Sequence, residues 1–205
     1  MLDNLYKEID NCKNCELYNL EYNKLNTNNL CYGKLLTNHK IKNINSKKIL
    51  LIGMNPSYRR FDQKRMTFEG VSPSDNLNDI KTSGDFFWFV LKQSKFVNYD
   101  IYITNLVKCS TDYNEMLKDV YVNSCKFLLL KEINIIKPDY IICLGKFVSM
   151  HIKRFRLNNK IFYINHPSFY FRFKSEKSVE LELKEFNDLY NIIENDKNTL
   201  GSFIK

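Results

Sequence analysis

Four of the six cysteines are spaced in a way that suits a metal site. Cys12 and Cys15 form a C-x2-C pair near the N-terminus, and Cys109 and Cys125 bracket 15 residues in the middle of the chain. Thiolates in this arrangement can bind either a zinc ion or a 4Fe-4S cluster, and the spacing alone favours neither. The remaining two cysteines are interpreted as ordinary thiols.

The elements that must position these cysteines alternate between strands and helices. Short apolar runs predict four strands, at residues 48–53, 99–104, 139–144 and 160–164. Amphipathic segments predict helices at residues 1–9, 86–95, 115–136 and 178–194, the second of them capped within residues 83–85. The Asn-rich stretch from the first helix to about residue 46 is predicted to be a loop.

This alternation predicts an α/β fold, a three-layer sandwich with a central, mainly parallel four-stranded sheet flanked by helices. Ligands of such sheets bind at the carboxyl ends of the strands. Three polar segments follow predicted strands at that edge: residues 53–57 (GMNPS), 104–109 (TNLVKC) and 165–168 (NHPS). The sequence therefore predicts a site that is assembled from these three segments.

Length and charge narrow the class of protein. At 205 residues we expect a single domain, 1–205, in which residues 1–46 form an N-terminal segment with the first cysteine pair and residues 47–196 form the α/β core. Lys and Arg outnumber Asp and Glu by 31 to 23, for a formal charge of +8. This excess favours an anionic partner such as nucleic acid over an acidic protein or a small cation.

Neither a membrane span nor a signal peptide is expected. No run of about 18 apolar residues occurs, and the first ten residues, MLDNLYKEID, carry acids where a signal peptide would be apolar. We therefore expect a soluble, intracellular protein, cytoplasmic or located with the DNA, that has no membrane partner. Cysteines in that compartment are thiols or metal ligands rather than disulfides.

The segment YITNLVKC at residues 102–109 carries a family resemblance. Together with Cys125, which follows 16 positions later, and with IKPD at 136–139 before a strand, it resembles family 4 of the uracil-DNA glycosylase superfamily. In that family a strand ending in TN-x-VKC supplies a base-reading Asn and the third cluster cysteine, and an N-terminal CxxC supplies the first two. The resemblance covers roughly residues 10–173. It implies a 4Fe-4S cluster, structural rather than redox, whose ligands would be Cys12, Cys15, Cys109 and Cys125.

Glycosidic cleavage demands particular side chains. Breaking the bond between base and deoxyribose puts negative charge on the departing base, so the site needs a donor at a base oxygen and a placed water. His166 is the candidate donor, because NHPS matches the superfamily's HPS or HPA motif. Asn55 is the candidate for placing the water, because GMNP resembles the GxNP motif of the single-strand-selective and mismatch-specific branches. A loop role for His166 and a turn role for Asn55 are the structural alternatives.

One position departs from the family-4 pattern. Family 4 usually has GEAPG in its first motif, and the acidic residue of that motif falls at Met54, which cannot activate water. The chain thus resembles a hybrid, with the cysteines and base-reading strand of family 4 and an Asn-type first motif. Gly53, Met54 and Ser168 are expected to lie against the substrate as parts of these motifs.

Asn105 is the expected base reader. Its carboxamide offers one donor and one acceptor to the Watson–Crick edge of a flipped pyrimidine. Toward uracil it would donate to O4 and accept from N3–H, whereas a flipped amide could accept from a cytosine amino group. Phe68, in TFEG at 67–70, resembles the stacking Phe of the family's PFVG segment, and a core position is its alternative.

Basic and aromatic side chains near these motifs are expected to bind DNA. Basic side chains suit phosphate contacts, and an aromatic side chain after HPS suits a wedge that enters the duplex as the nucleotide leaves. The candidates are Arg59, Arg60, Arg65, Phe169, Tyr170 and Arg172. Core packing is the alternative for the two aromatic residues. The polar insertion at residues 71–83 could be a lid, a further DNA contact or a surface loop.

The resemblance implies a monofunctional DNA glycosylase that acts as a monomer on single- or double-stranded DNA. It would hydrolyse the N-glycosidic bond of uracil or a related damaged or modified pyrimidine and leave an abasic site. Water attack is favoured because no lysine is placed to act as a Schiff-base nucleophile. The alternatives are a glycosylase for a bulky modified cytosine in foreign DNA, and a catalytically silent DNA-binding or replication-accessory protein on the same scaffold.

Overall fold

One mixed sheet forms the centre of the protein. The computed structural model describes residues 1–20, 34–36, 47–56, 76–111 and 116–201. The strands in these ranges are β1 (Lys34–Leu36), β2 (Lys48–Gly53), β3 (Asp100–Asn105), β4 (Tyr140–Leu144) and β5 (Lys160–Ile164). Their order is β1-β3-β2-β4-β5, with β2 to β5 parallel and β1 antiparallel to β3.

Helices cover both faces of this sheet. In chain order they are α1 (Leu2–Asp10), α2 (Ser83–Gln93), α3 (Asp119–Ile136), α4 (Lys146–Arg154), α5 (Pro167–Phe171) and α6 (Glu176–Gly201). The predicted fold class, a four-stranded parallel sheet flanked by helices, is confirmed. The edge strand β1 lies in the stretch predicted to be a loop, because three residues are too few to show an alternating pattern.

The strands read as continuous apolar runs because they are buried on both faces. Every residue of β2 after the first is buried, and successive side chains point to opposite layers. Leu50 and Ile52 pack in the layer that holds α1, α3 and α4. Ile49 and Leu51 pack in the layer that holds α2, α5 and α6.

Helix boundaries differ from the prediction at several ends. Thr82, not a residue of 83–85, caps α2, because its Oγ1 accepts from the Asp85 N–H while the Asp85 carboxylate accepts from the Thr82 N–H. The helix α3 begins at Asp119 rather than 115, and α6 extends beyond both predicted ends. The short helices α4 and α5 were not predicted, since 9 and 5 residues show little periodicity. No described helix is long and apolar enough to cross a membrane.

Candidate active site and cysteine cavity

Backbone hydrogen bonds continue to connect the chain segments of β2 and β3 beyond the carboxyl ends of the two strands. Gly53 lies opposite Asn105 in the parallel register. Past the strands, the Leu106 N–H donates to the Gly53 carbonyl at 2.8 Å, and the Val107 N–H donates to the Met54 carbonyl at 3.0 Å. The first and second polar segments therefore remain side by side at the sheet edge where ligands bind.

Asn105 lies in this edge with its amide buried. Its residue exposure is 1%, and within the described residues Nδ2 has no hydrogen-bond partner. An unpaired buried donor costs about 1–3 kcal/mol, so such a group is kept where a ligand atom can satisfy it. A ligand that reaches this amide could therefore satisfy Nδ2.

Asn55 is half-buried on the neighbouring segment and is held by its amide nitrogen. Nδ2 donates to Thr111 Oγ1 and to the Pro56 carbonyl, both at 3.2 Å. Because both hydrogens of the amide are engaged, Asn55 would face a ligand or a water with its acceptor oxygen Oδ1. Thr111 was not predicted from the sequence, and a lone threonine after the cysteine segment carries no signal that would single it out.

His166 caps the short helix α5 with its ring. Nδ1 accepts from the Ser168 N–H at 3.2 Å and lies 2.9 Å from Ser168 Oγ. Since Nδ1 is the acceptor, the proton of the neutral ring is on Nε2. Burial lowers the pKa of His166 below its ordinary value, so the ring is neutral at pH 7 and offers one N–H donor.

The backbone around His166 is fixed from two sides. Asn165 donates through its main-chain N–H and Nδ2 to the Glu185 carboxylate, and it accepts from the Tyr163 hydroxyl at 2.9 Å. On the other side, Gly145 has φ +97°, and a Cβ built there would lie 3.4 Å from the His166 Cβ. Only glycine tolerates that conformation readily, so Gly145 permits the close approach.

Gly145→Ala is expected to lower the free energy of unfolding by about 1–3 kcal/mol, because an L side chain is strained at that φ. Denaturant unfolding measures the change. Gly84→Ala is the matched control: Gly84 lies in α2, where an added Cβ would meet its nearest neighbour at 3.7 Å. Equal stability of the two variants would contradict the strain assigned to Gly145.

The residues after His166 differ in exposure. Phe169 is half exposed and Arg172 is exposed, so both side chains are accessible. Tyr170 is only 7% exposed, and its hydroxyl donates to Glu185 and accepts from Asn165. We therefore assign Tyr170 to packing under the loop rather than to DNA contact. Ser168 is half-buried beside the His166 ring.

One small cavity, between α1, the segment after β3 and α3, is lined by Cys12, Cys15, Cys109 and Cys125. The pKa of Cys109 is raised above its ordinary value, mainly by burial and to a smaller extent by the neighbouring thiols of Cys125, Cys15 and Cys12. All four are free thiols, and the Lys108 N–H donates to Cys125 Sγ at 3.3 Å. Within the described residues, no three Cys, His, Asp or Glu side chains are arranged to hold a single metal ion.

A buried charged pair behind Asn105 was missed by sequence reasoning. Lys108 and Glu132 are 1% and 0% exposed and lie 2.6 Å apart. The signal was present in α3, where Glu132 follows Cys125 and Leu128 at the spacing of a buried helix face. Cys143, in contrast, is fully buried in β4 and does not line the cavity.

Several predicted residues lie outside the described ranges. They are Cys31, Arg59, Arg60, Arg65, Phe68 and residues 71–75 of the insertion.

Comparison with known proteins adds an independent finding. A family model described as the uracil DNA glycosylase superfamily matches residues 39–190. A protein of Archaeoglobus fulgidus named type-4 uracil-DNA glycosylase is 28% identical over 74% of this chain, and the match spans 63% of that protein's length. A protein of Thermotoga maritima with the same name is 28% identical over 69% of this chain and 78% of its own length.

Proposed function

Because this chain belongs to the uracil DNA glycosylase superfamily, we propose that it is a monofunctional DNA glycosylase that flips out a pyrimidine nucleotide and hydrolyses its N-glycosidic bond. Asn105 is the observation that carries the proposal. The amide is buried at the carboxyl end of a central parallel strand, and its Nδ2 is unpaired in the part of the chain that the structure describes, which suits recognition of a polar base edge. Uracil or a related pyrimidine fits this amide, because Nδ2 would donate to O4 and Oδ1 would accept from N3–H.

The reaction needs two further groups. As the bond between C1′ and the base nitrogen breaks, its electron pair leaves with the base, and neutral His166 would donate from Nε2 to the base oxygen on which negative charge develops. A water oxygen then bonds to C1′ and loses one proton, which neutralises the released base anion, and Asn55 Oδ1 would orient that water by accepting from it. Met54, which is 37% exposed, supplies no carboxylate, so the water is positioned rather than deprotonated at that residue.

We infer that Cys12, Cys15, Cys109 and Cys125 hold a 4Fe-4S cluster. The donor set supports this, since four thiols line one cavity and none is in a disulfide. A cubane cluster binds each cysteine to a different iron, so its ligands need not converge on one point as those of a zinc ion must. When bound, such a cluster would cross-link α1, the segment after β3 and α3, which is a structural role.

DNA contact is proposed for the exposed side chains next to His166. Phe169 lies in the middle of α5, where an exposed aromatic ring could replace the flipped base in the stack. Arg172 follows at the end of the same helix and could bind a neighbouring phosphate.

The decisive experiment incubates the purified protein with single- and double-stranded oligonucleotides, each with one uracil, one damaged pyrimidine or one bulky modified cytosine. Base release followed by alkaline cleavage reveals abasic sites. Release of a pyrimidine supports the proposal, and release of the modified cytosine alone would select the alternative substrate. Failure to release any base while DNA still binds would contradict the proposal and favour a silent DNA-binding protein.

Asn105→Asp is expected to change which pyrimidine is released as well as the rate. A carboxylate can accept from a cytosine amino group but cannot donate to uracil O4. Single-turnover release is compared for uracil and cytosine substrates. Asn187→Asp is the matched control, because its Oδ1 accepts from the Lys95 N–H near the opposite edge of the sheet and the acceptor is kept. An unchanged preference in Asn105→Asp would remove this residue from base recognition.

A further inference from the structure

The Lys108 ammonium lies directly behind Asn105, the proposed base reader. Nζ donates to Thr104 Oγ1 at 2.6 Å, to the Asn105 carbonyl at 2.9 Å and to Glu132 Oε2 at 2.6 Å. An ammonium has three N–H donors, and these three acceptors use all of them. The orientation of the Lys108 side chain is therefore fully determined.

Glu132 closes the network from the other side. Its Oε1 accepts from the Tyr102 hydroxyl at 2.8 Å, and its Oε2 accepts from Thr104 Oγ1 at 2.8 Å in addition to Lys108. Tyr102, Thr104 and Glu132 are all essentially inaccessible to solvent. The Tyr102 and Thr104 hydroxyls, which precede Asn105, and the Lys108 ammonium, which follows it, are thus all bound to the Glu132 carboxylate on α3.

A buried ion pair of this kind adds little to the free energy of unfolding by itself. Taking two charges out of water costs several kcal/mol per ion, and well-packed apolar residues of similar volume are often as stable. A buried charge pair is more effective at specifying one arrangement of the groups around it. Here the group that it specifies is the Asn105 peptide, whose carbonyl is held by Lys108.

Asn105 needs this support because its Nδ2 has no hydrogen-bond partner among the residues that the structure describes. Without a hydrogen bond at Nδ2, the position of that donor is set largely through the main chain from which the side chain projects. The main-chain N–H of Lys108 also donates to Cys125 Sγ, and Cys109 is the next residue. One residue therefore connects the amide at the sheet edge to the cysteine cavity.

We propose that Lys108, paired with Glu132, is the positioning residue that holds Asn105 in register for base recognition. The proposal rests on the glycosylase function above. Lys108 does not contact DNA in this scheme, because it is buried beneath Asn105. Its removal should affect the chemical step and the choice of base while leaving DNA affinity unchanged.

The test uses the double variant Lys108→Met/Glu132→Gln, which removes both charges together. The Gln side chain can still accept from Tyr102 and donate to Thr104, so no buried charge is left without a partner. Lys160→Met/Asp196→Asn is the matched control, since this exposed ion pair lies at the amino end of β5. For each protein we would measure iron content, thermal unfolding, the Kd for DNA, and single-turnover release of the preferred base and the next best base.

The double variant is expected to keep its iron and its DNA affinity and to release the preferred base about 10- to 100-fold more slowly, the scale of loss for a misplaced group. The ratio of rates for the two bases should narrow, which a merely structural role would not produce. Thr104→Val, which removes one of the three acceptors of Lys108, should shift the rate and the ratio in the same direction, and Thr104→Ser should restore them.

A double variant with the wild-type rate and the wild-type base ratio would overturn the positioning role. If the double variant does not fold, the test uses Thr104→Val instead. A wild-type release rate and a wild-type base ratio in Thr104→Val would overturn the proposal as well. These outcomes are distinct from failure of the proposed function, in which the wild-type protein itself would release no base from any oligonucleotide.

Discussion

Replacing His166 by Ala is expected to slow single-turnover base release by about 10²–10³-fold, a loss of about 2.7–4 kcal/mol of transition-state stabilisation, as for removal of one oxyanion donor. The reason is geometric. The Ser168 N–H holds Nδ1 as an acceptor, so Nε2–H is the donor that the departing base would lose. DNA affinity should change little, because the interaction strengthens only as charge develops on the base.

The controls separate loss of the donor from loss of structure. His166→Gln keeps an N–H donor on a side chain of similar reach and should retain more activity than His166→Ala. His151→Gln changes a buried histidine on α4, 3.3 Å from Asp119, and should leave the rate unchanged. Asn55→Ala should reproduce the His166→Ala loss, because the attacking water would then lack its acceptor. If both alanine variants release base at the wild-type rate, the proposed catalytic pair is wrong.

Cys109→Ser is expected to abolish iron binding and to lower the free energy of unfolding by more than about 4 kcal/mol, a range reached by loss of a structural metal. Cys109 follows Lys108 and lines the same cavity as Cys12, Cys15 and Cys125, so loss of this ligand would free α1 and α3 from the segment after β3. Iron and sulfide analysis, visible absorption and thermal unfolding measure the effect. Cys12→Ala should behave alike.

Cys143→Ser provides the matched control for this prediction. Its thiol is buried in β4, more deeply than that of Cys109, and does not line the cavity, so the variant should keep its iron and its visible absorption. The assignment would be contradicted by wild-type protein that is purified without oxygen and contains stoichiometric zinc and no iron. Retention of full iron content by Cys109→Ser would contradict it equally.

The parallel sheet and its polar edge were predictable because their signals are local. An apolar run such as residues 48–53 marks a strand that is buried on both faces, and the polar segment after each strand marks the edge where ligands bind. The capping box of Thr82 and Asp85 was equally local, but the cap was predicted one residue or more too late. Short elements such as β1 and α5 were missed because they contain too few residues to repeat a pattern.

The sequence alone determined the fold class through strand periodicity, and the candidate roles of Asn55, Asn105 and His166 and the cysteine set followed from motifs that resemble those of the superfamily. Only the tertiary structure decided how those groups are held. The contacts between Lys108 and Glu132, and between Gly145 and His166, join residues on different elements, and they form because the strand order brings those elements together. The structure also showed that Phe169 is exposed whereas Tyr170 is buried. The sequence could not tell them apart, since the exposure of a side chain depends on what packs above it and not on its neighbours in sequence.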